Sequence, residues 1–198
     1  MIVALEGLPG AGKTTAARLV AERLGASALQ ETTAQHPFLA QVYREDRDDL
    51  TVELAFLLVH ANPYRRLDQS ALTICDFSPV KDELFAEEML SAGDLDFFRK
   101  AYAFLYRQHP APDLAVYVRA DPELCLRRVR ERLVAGPSRA FEAEMTLERL
   151  ESMRDRYEGH LERLAAQSLV YELSESRPRD LVAEDLADLI HPYIRSNL

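Results

Sequence analysis

The sequence lacks tryptophan, has only two cysteines, and carries fewer basic than acidic residues. Cys75 and Cys125 stand in apolar stretches with no histidine or cysteine at the spacing of a metal site. We therefore expect both to be buried, reduced thiols rather than a disulfide. No apolar run approaches the roughly 18 residues of a membrane span, and no signal sequence is recognisable.

The charge balance excludes one class of ligand. With 24 basic and 33 acidic residues among 198, the net charge is −9, whereas a phosphate backbone needs a basic surface. We therefore expect a soluble, cytoplasmic protein that binds neither a nucleic acid polymer nor a membrane. The length suits one domain, residues 1–198.

The strongest positive signal lies near the start of the sequence. Residues 7–14 read Gly-Leu-Pro-Gly-Ala-Gly-Lys-Thr, between an apolar run at 2–5 and a helical pattern. This order fits the phosphate-binding loop, whose backbone N–H groups surround an anion. Lys13 would reach the β- and γ-phosphates, and the Thr14 hydroxyl would ligate Mg²⁺. We expect ATP and Mg²⁺ at Gly7, Gly10, Ala11, Gly12, Lys13, Thr14 and Thr15.

Apolar strand-like runs alternate with helical patterns along the chain. The runs are 2–6, 27–31, 71–76, 114–119 and 169–173. The helical patterns cover 13–24, 50–67, 82–90, 94–108, 122–134, 141–168 and 179–195. Such alternation predicts an α/β fold in three layers, with a five-stranded parallel sheet and helices on both faces.

Two of these runs end in a carboxylate, Glu31 and Asp76. Ligands of open parallel sheets bind at the carboxyl ends of the strands, so a second substrate should meet the triphosphate there. Glu31 could orient a hydroxyl for attack on the γ-phosphate, and Asp76 could hold Mg²⁺. The alternative for Glu31 is a solvated residue or a helix cap.

A phosphate-binding loop alone leaves switches, motors and kinases open. The sequence has no Asn-Lys-x-Asp, with which a GTP-dependent switch reads guanine. A kinase also needs mobile arginines over the transferred phosphoryl group. Arg128, Arg130, Arg132 and Arg139 flank residues 134–138, for which we expect a surface loop. The alternative is a solvated helix face balanced by Glu131.

Four further stretches, in order, resemble the deoxynucleoside kinase family. They are Glu-Thr-Thr-Ala-Gln-His-Pro-Phe-Leu at 31–39 with Tyr43, Asp-Phe-Ser-Pro-Val-Lys-Asp-Glu-Leu-Phe-Ala at 76–86, Pro-Asp-Leu-Ala-Val-Tyr-Val at 112–118, and the arginine-rich segment from 128 with Glu142, Leu150 and Tyr157. The resemblance covers about residues 1–165. It implies a P-loop kinase fold with an arginine-rich lid at about 128–142, and ATP-dependent phosphorylation of the 5′-hydroxyl of a deoxynucleoside by a homodimer.

The same resemblance implies roles for individual residues. Glu31 would be the general base, Lys13 the phosphate clamp, and Arg128 and Arg132 the lid cations. Substrate contacts would come from Glu31, Tyr43, Glu53, Asp76 and Glu142, and metal contacts from Thr14 and Asp76. Tyr43 as a packing residue and Glu142 as an exposed acid in the first turn of a helix remain alternatives.

The sequence departs from the family at Phe77, where most members carry an arginine that contacts the 5′ end of the acceptor. Lys81 is a candidate for the missing charge, although lysine lacks the bidentate fork of arginine. Asp82 is expected to be a helix N-terminal acid. The isolated histidines His36, His60 and His109 are expected at the surface or in packing.

Base selection depends on one position of the helix predicted at 50–67, where family members carry a glutamine. Glu53 is the nearest polar residue here, and an ionised carboxylate can only accept hydrogen bonds. It suits the adjacent N1–H and N2–H₂ donors of guanine, which favours a purine such as deoxyguanosine. The alternative is a Glu53 that faces solvent near Arg47.

Two other functions remain open. A nucleoside monophosphate kinase resembling thymidylate kinase would share Glu6-Gly7 and Thr14-Thr15. It should, however, carry arginines where this chain has Glu31-Thr-Thr and Asp76-Phe-Ser. A nucleotide-binding regulatory protein without transfer activity has Phe77 as its support. The apolar residues of the same helix fit a dimer interface or the core: Leu50, Leu54, Phe56, Leu57 and Leu58.

Overall fold

The computed structural model describes residues 1–32, 35–38, 48–108, 111–135, 142–165 and 167–196. Its strands are β1 (Ile2–Glu6), β2 (Ser27–Leu29), β3 (Thr73–Cys75), β4 (Leu114–Arg119) and β5 (Gln167–Glu172). Its α-helices are α1 (Lys13–Leu24), α2 (Asp49–Tyr64), α3 (Pro79–Met89), α4 (Ala92–Leu105), α5 (Pro122–Ala135), α6 (Leu147–Gly159) and α7 (Arg179–Ser196).

All five strands form one parallel sheet in the order β2-β3-β1-β4-β5. Ala4 of the central strand lies opposite Cys75 on one side and Ala115 on the other. The predicted α/β fold with a five-stranded parallel sheet is therefore confirmed. All strand C-termini lie at the same edge, the edge from which the loop after β1 leaves.

Both faces of the sheet are covered. Val3 and Leu5 pack on one face with residues of α1 and α7, whereas Ile2 and Cys75 pack on the other with Leu57 of α2. Because the central strands are buried on both sides, they read as continuous apolar runs. Cys75 and Cys125 are buried and unpaired, as predicted.

The helix predicted at 141–168 is wrong in length. The structure has α6 from Leu147 to Gly159, then a short 3₁₀ helix, Leu161–Arg163, and β5 from Gln167. Thr146 starts α6, because its side chain accepts a hydrogen bond from the N–H of Arg149. The buried Leu164 then turns the chain toward the sheet.

Other boundaries differ by a few residues for local reasons. The strand predicted at 27–31 ends at Leu29, since the N–H of Glu31 donates to the Asp76 carboxylate instead of the strand ladder. The helix predicted from 82 already begins at Pro79, a residue whose fixed φ suits a first turn. No helix among the described residues is long and apolar enough to cross a membrane.

Two adjacent phenylalanines of α4 provide a matched test of the packing. Phe98 is fully buried, whereas Phe97 is 55% exposed. We expect Phe98→Ala to lower the free energy of unfolding by about 3–5 kcal/mol. Phe97→Ala should change it by less than about 0.5 kcal/mol. Denaturant unfolding of both variants measures this, and equal losses would contradict the observed orientation of α4.

Candidate active site

The loop after β1 forms an anion-binding site at the start of α1. Its last glycine, Gly12, is the N-cap with φ 89°, and no side chain caps the first N–H groups of the helix. At Gly10, φ is 90°, and an added Cβ would lie 2.5 Å from the carbonyl oxygen of Cys125. Glycine is therefore required at both positions, and the uncapped N–H groups can hold a phosphate.

The ammonium of Lys13 lies over this loop. Its Nζ donates to the carbonyl oxygens of Gly7 at 2.7 Å and Leu8 at 3.0 Å. Burial, together with the positive charge of Lys81, lowers the pKa of Lys13. A bound phosphate would relieve both effects, because it offers this ammonium a full negative charge in place of carbonyl dipoles.

A cavity of about 290 Å³ extends from the loop toward α2, α3 and α6. Of the loop residues predicted to bind the nucleotide, all but the buried Ala11 line it. Beyond the loop, its lining carries charged and titratable side chains: Glu31, Glu53, His60, Lys81, Asp82, Arg132, Glu142 and Arg149. The cavity thus brings the loop together with the carboxylate predicted at the end of the second strand.

Glu31 presents an ionised carboxylate to this cavity. Its backbone N–H donates to Asp76 Oδ1 at 2.6 Å, and its side chain is 17% exposed. Glu31 Oε1 lies 3.1 Å from Lys81 Nζ and 3.0 Å from His60 Nε2. Burial alone would raise the pKa of Glu31, but the charge of Lys81 and the hydrogen bond from His60 hold that pKa well below its usual range.

His60 connects two carboxylates, which the sequence did not reveal. It is 1% exposed, and its Nδ1 lies 2.7 Å from Asp82 Oδ1 while its Nε2 meets Glu31. Burial opposes a charge there, but Asp82 and then Glu31 raise the pKa of His60 to about 9. The expectation of an isolated packing histidine is wrong. Its position two helical turns after Glu53 was the available signal, since it places both on one face of α2.

Phe77 does not enter the cavity. Its side chain is fully buried, and its ring packs against the rings of His60 and Tyr64 with centroids 4.7 Å and 6.3 Å apart. Lys81 of α3 does reach the cavity, where its ammonium contacts Glu31. Burial would lower the pKa of Lys81, but Glu31 and Glu6 raise it, so the ammonium stays charged.

Glu6, at the end of β1, is a second acid that sequence reasoning did not place in the site. It is fully buried, and its Oε2 accepts a hydrogen bond from the Tyr157 hydroxyl at 3.1 Å. Burial raises the pKa of Glu6, although Lys81 and Lys13 oppose this. Glu6 therefore interacts electrostatically with both lysines of the site.

Of the predicted lid residues, Arg128 lies beside the loop and Arg132 lines the cavity, whereas Arg130 lines neither. Arg132 Nη2 forms an ion pair of 2.6 Å with Glu142 Oε2, and Arg128 Nη1 lies 3.5 Å from the carbonyl oxygen of Gly10. Glu142 is 3% exposed, so the alternative of an exposed acid is wrong. Arg139 and Tyr43 lie outside the described residues, as does most of the loop predicted at 134–138.

The remaining predicted substrate and metal residues differ in position. Glu53 is 5% exposed and lines the cavity, so the solvent-facing alternative is wrong. Asp76 is 1% exposed and is not among the residues that line the cavity; it holds the backbone of Glu31. Asp82 lies in the first turn of α3, as predicted, but it also binds His60.

Comparison with known proteins gives one family. A family model described as deoxynucleoside kinase matches residues 3–194. A deoxyguanosine kinase of Bacillus subtilis is 28% identical over 171 residues, which are 82% of this chain and 79% of the relative. A probable thymidylate kinase of Archaeoglobus fulgidus is 25% identical over 201 residues, 98% of this chain and 96% of the relative.

Among solved structures, the deoxyadenosine kinase from M. mycoides with bound dATP superposes with a TM-score of 0.74. The match covers 96% of this chain and 100% of that chain at 17% sequence identity. At this level of sequence identity, the similarity shows a shared fold and nothing further.

The glycine loop yields a matched test. We expect Gly10→Ala to weaken triphosphate binding by at least about tenfold, because a side chain at positive φ is strained by about 1–3 kcal/mol and clashes with Cys125. Gly93→Ala, in α4, meets open space and should leave binding unchanged. Calorimetric titration with a non-hydrolysable ATP analogue measures both. Equal affinities for the two variants would contradict the role of the loop geometry.

Proposed function

The chain belongs to the deoxynucleoside kinase family and phosphorylates the 5′-hydroxyl of a nucleoside, and we propose that Glu31 is its general base and Lys13 its phosphate clamp. One observation carries this proposal: Glu31 and the glycine loop with Lys13 line a single cavity at the carboxyl edge of the sheet. A nucleoside bound there has its hydroxyl between the carboxylate and the triphosphate.

The low pKa of Glu31 defines how it would act. A carboxylate this acidic does not hold a proton before reaction, so it accepts a hydrogen bond from the 5′-hydroxyl and orients the oxygen in line. The proton moves to Glu31 late, as the new P–O bond forms through a loose transition state. Lys81 beside Glu31 supplies the charge that Phe77 does not.

The phosphate donor is proposed to be ATP, bound by the loop and Lys13. Thr14 and Asp76 offer one hydroxyl and one carboxylate, a donor set that suits Mg²⁺, which keeps several waters and binds substrate phosphates. Across the described residues, no three His, Cys, Asp or Glu side chains group around a common metal position. When bound, Mg²⁺ neutralises charge on the β- and γ-phosphates.

Arginines near the loop would complete the charge stabilisation. Arg128 lies beside Gly10, and Arg132 reaches the cavity from α5. We infer that the two form the lid, at about 128–142, that covers the transferred phosphoryl group. Glu142, held by Arg132, and Tyr43 are proposed to contact the sugar hydroxyls.

The proposed acceptor is deoxyguanosine. Glu53 lines the cavity, and its carboxylate can accept from both N1–H and N2–H₂ of guanine, whereas adenine and cytosine present an acceptor next to a donor. The similarity to a deoxyguanosine kinase supports this choice. Asp76 contributes through the backbone of Glu31 rather than by touching the acceptor.

We further propose a cytoplasmic homodimer of one domain, in line with the family resemblance. The outward face of α2 fits its interface, since Leu58 is 58% exposed beside the half-buried Leu54. Leu57 of the same helix is fully buried and belongs to the core.

Of the two alternative functions, the monophosphate kinase keeps the support of sequence similarity, for example to a probable thymidylate kinase. Its acceptor would place a phosphate against the ionised Glu31, which is unfavourable. The alternative of a regulatory protein loses the support it had from Phe77, because Phe77 packs in the core while Lys81 places a cation in the cavity.

Replacement of Glu31, the proposed general base, gives the decisive test. We expect Glu31→Gln to lower kcat by about 10²–10⁴, because the amide cannot take the proton. Affinity for ATP should be unchanged. A coupled ADP-release assay with the four deoxynucleosides, ribonucleosides and deoxynucleoside monophosphates measures this. Glu151→Gln, at an exposed position of α6, is the control. Turnover on monophosphates alone would support the thymidylate-kinase-like alternative.

Base reading is tested separately. We expect Glu53→Gln to lower the ratio of kcat/KM for deoxyguanosine over deoxyadenosine by about tenfold or more, because the amide presents an acceptor and a donor, as the adenine edge does. The KM for ATP should stay constant. An unchanged ratio would remove Glu53 from base recognition.

A further inference from the structure

His60 lies between two carboxylates on opposite sides of its ring. Nδ1 is 2.7 Å from Asp82 Oδ1, and Nε2 is 3.0 Å from Glu31 Oε1. A carboxylate accepts hydrogen bonds, so both ring nitrogens must carry a proton for both contacts to form. Only the imidazolium has two N–H groups, so with both carboxylates ionised the geometry calls for a charged His60.

The surroundings of the ring favour that charge. Phe77 stacks on one face, with an angle of 29° between the ring planes, and an aromatic face attracts a cation. The titratable groups nearby are Glu31 after β2, Glu53 on the same face of α2, and the α3 residues Lys81 and Asp82. His36, whose pKa is lowered by burial, adds a neutral imidazole. The carboxylates touch His60 directly, whereas Lys81 is separated from it by Glu31.

Both cations act on the same oxygen of Glu31. His60 Nε2 and Lys81 Nζ each contact Oε1, while none of the hydrogen bonds within the described ranges reaches Oε2. Oε2 is thereby left for the hydroxyl of an acceptor. The two contacts fix the rotation of the carboxyl group, which decides where Oε2 points.

We propose that His60 is a positioning residue for the general base: its imidazolium, held by Asp82 and stacked on Phe77, fixes Oε1 of Glu31 and presents Oε2 to the acceptor hydroxyl. This inference rests on the proposed role of Glu31. Of the two cations, His60 defines the geometry, because its ring is 1% exposed and held on three sides. Lys81 is 21% exposed, on a flexible stem.

Loss of the proton breaks this arrangement. A neutral imidazole has one N–H, and it can donate to only one of the two carboxylates. The pKa of about 9 lies above the ordinary 6.5, so the stabilisation is present in full below pH 6.5 and disappears as the pH rises through about 9. Above that pH, Glu31 loses its fixed orientation or meets a ring nitrogen lone pair.

The experiment follows kcat and both KM values from pH 6 to 10 for the wild type and for His60→Gln. We expect the wild-type kcat to fall as the pH rises through about 9. The Gln variant should have a kcat about ten- to a hundredfold lower at neutral pH, because a reacting group is misplaced. Its kcat should not show the fall near pH 9, which we call the alkaline limb of the profile. Its KM for ATP should match the wild type. Titration of Lys13 would instead raise the KM for ATP in both proteins.

His36→Gln is the matched control, because it removes a second buried histidine that does not contact Glu31; the limb near pH 9 should persist in it. Nitrogen-15 NMR of labelled histidines in the wild type provides a readout that needs no variant. We expect two N–H signals from one imidazolium at pH 7.5, and the loss of one of these protons as the pH rises through about 9.

The possible outcomes distinguish a failure of this inference from a failure of the proposed function. A neutral His60 at pH 7.5, or a Gln variant that keeps the wild-type kcat and limb, would overturn the positioning role. If the wild type turns over no deoxynucleoside, the proposed function fails, and a doubly protonated ring would then be a structural ion pair, which also overturns the catalytic part of this proposal. A lower kcat together with the loss of the limb supports it.

Discussion

The site depends on one constraint: charges at the carboxyl edge of the sheet are buried and must be compensated. Lys81 is compensated by Glu31, and His60 by Glu31 and Asp82. Lys13 is the exception, since its hydrogen bonds to the described residues go to carbonyl oxygens of its own loop. Accordingly, the pKa of Lys13 is lowered while that of Lys81 is raised. Lys13 is thus a cation whose best partner is a phosphate, whereas Lys81 and His60 are already bound to Glu31.

Phe77 illustrates how a motif can lose a charged residue while the site keeps its charge. Its position in the sequence suggested lost chemistry, because the resemblance places an arginine there. In three dimensions the side chain completes the core beneath His60. The cations come instead from His60 of α2 and Lys81 of α3, which both line the cavity. A positive charge at a given place in the structure can be supplied by residues at several different positions of the sequence.

The fold followed from local patterns, because buried parallel strands and the glycine loop each have a signature in consecutive residues. Lys13 and Glu31 were predictable for the same reason, as both follow a strand. His60 was not, since its partners lie 29 and 22 residues away and only packing brings them together. The helix predicted at 141–168 was too long, because the charged pattern in the sequence continues after Gly159, where α6 ends. Beyond that point the burial of Leu164 determines the course of the chain.

The two cations on Glu31 Oε1 make this carboxylate a weak base, which at first opposes its proposed role. The opposition disappears if proton transfer is late. In a loose transition state the acceptor oxygen has formed little bond to phosphorus, so its proton is not yet acidic and a stronger base would gain little. Position and positive potential matter more, since charge on the transferring group is what the site must stabilise. Lys81 and His60 provide both: they orient Oε2 and place positive charge at the end of the cavity where the acceptor meets the phosphate.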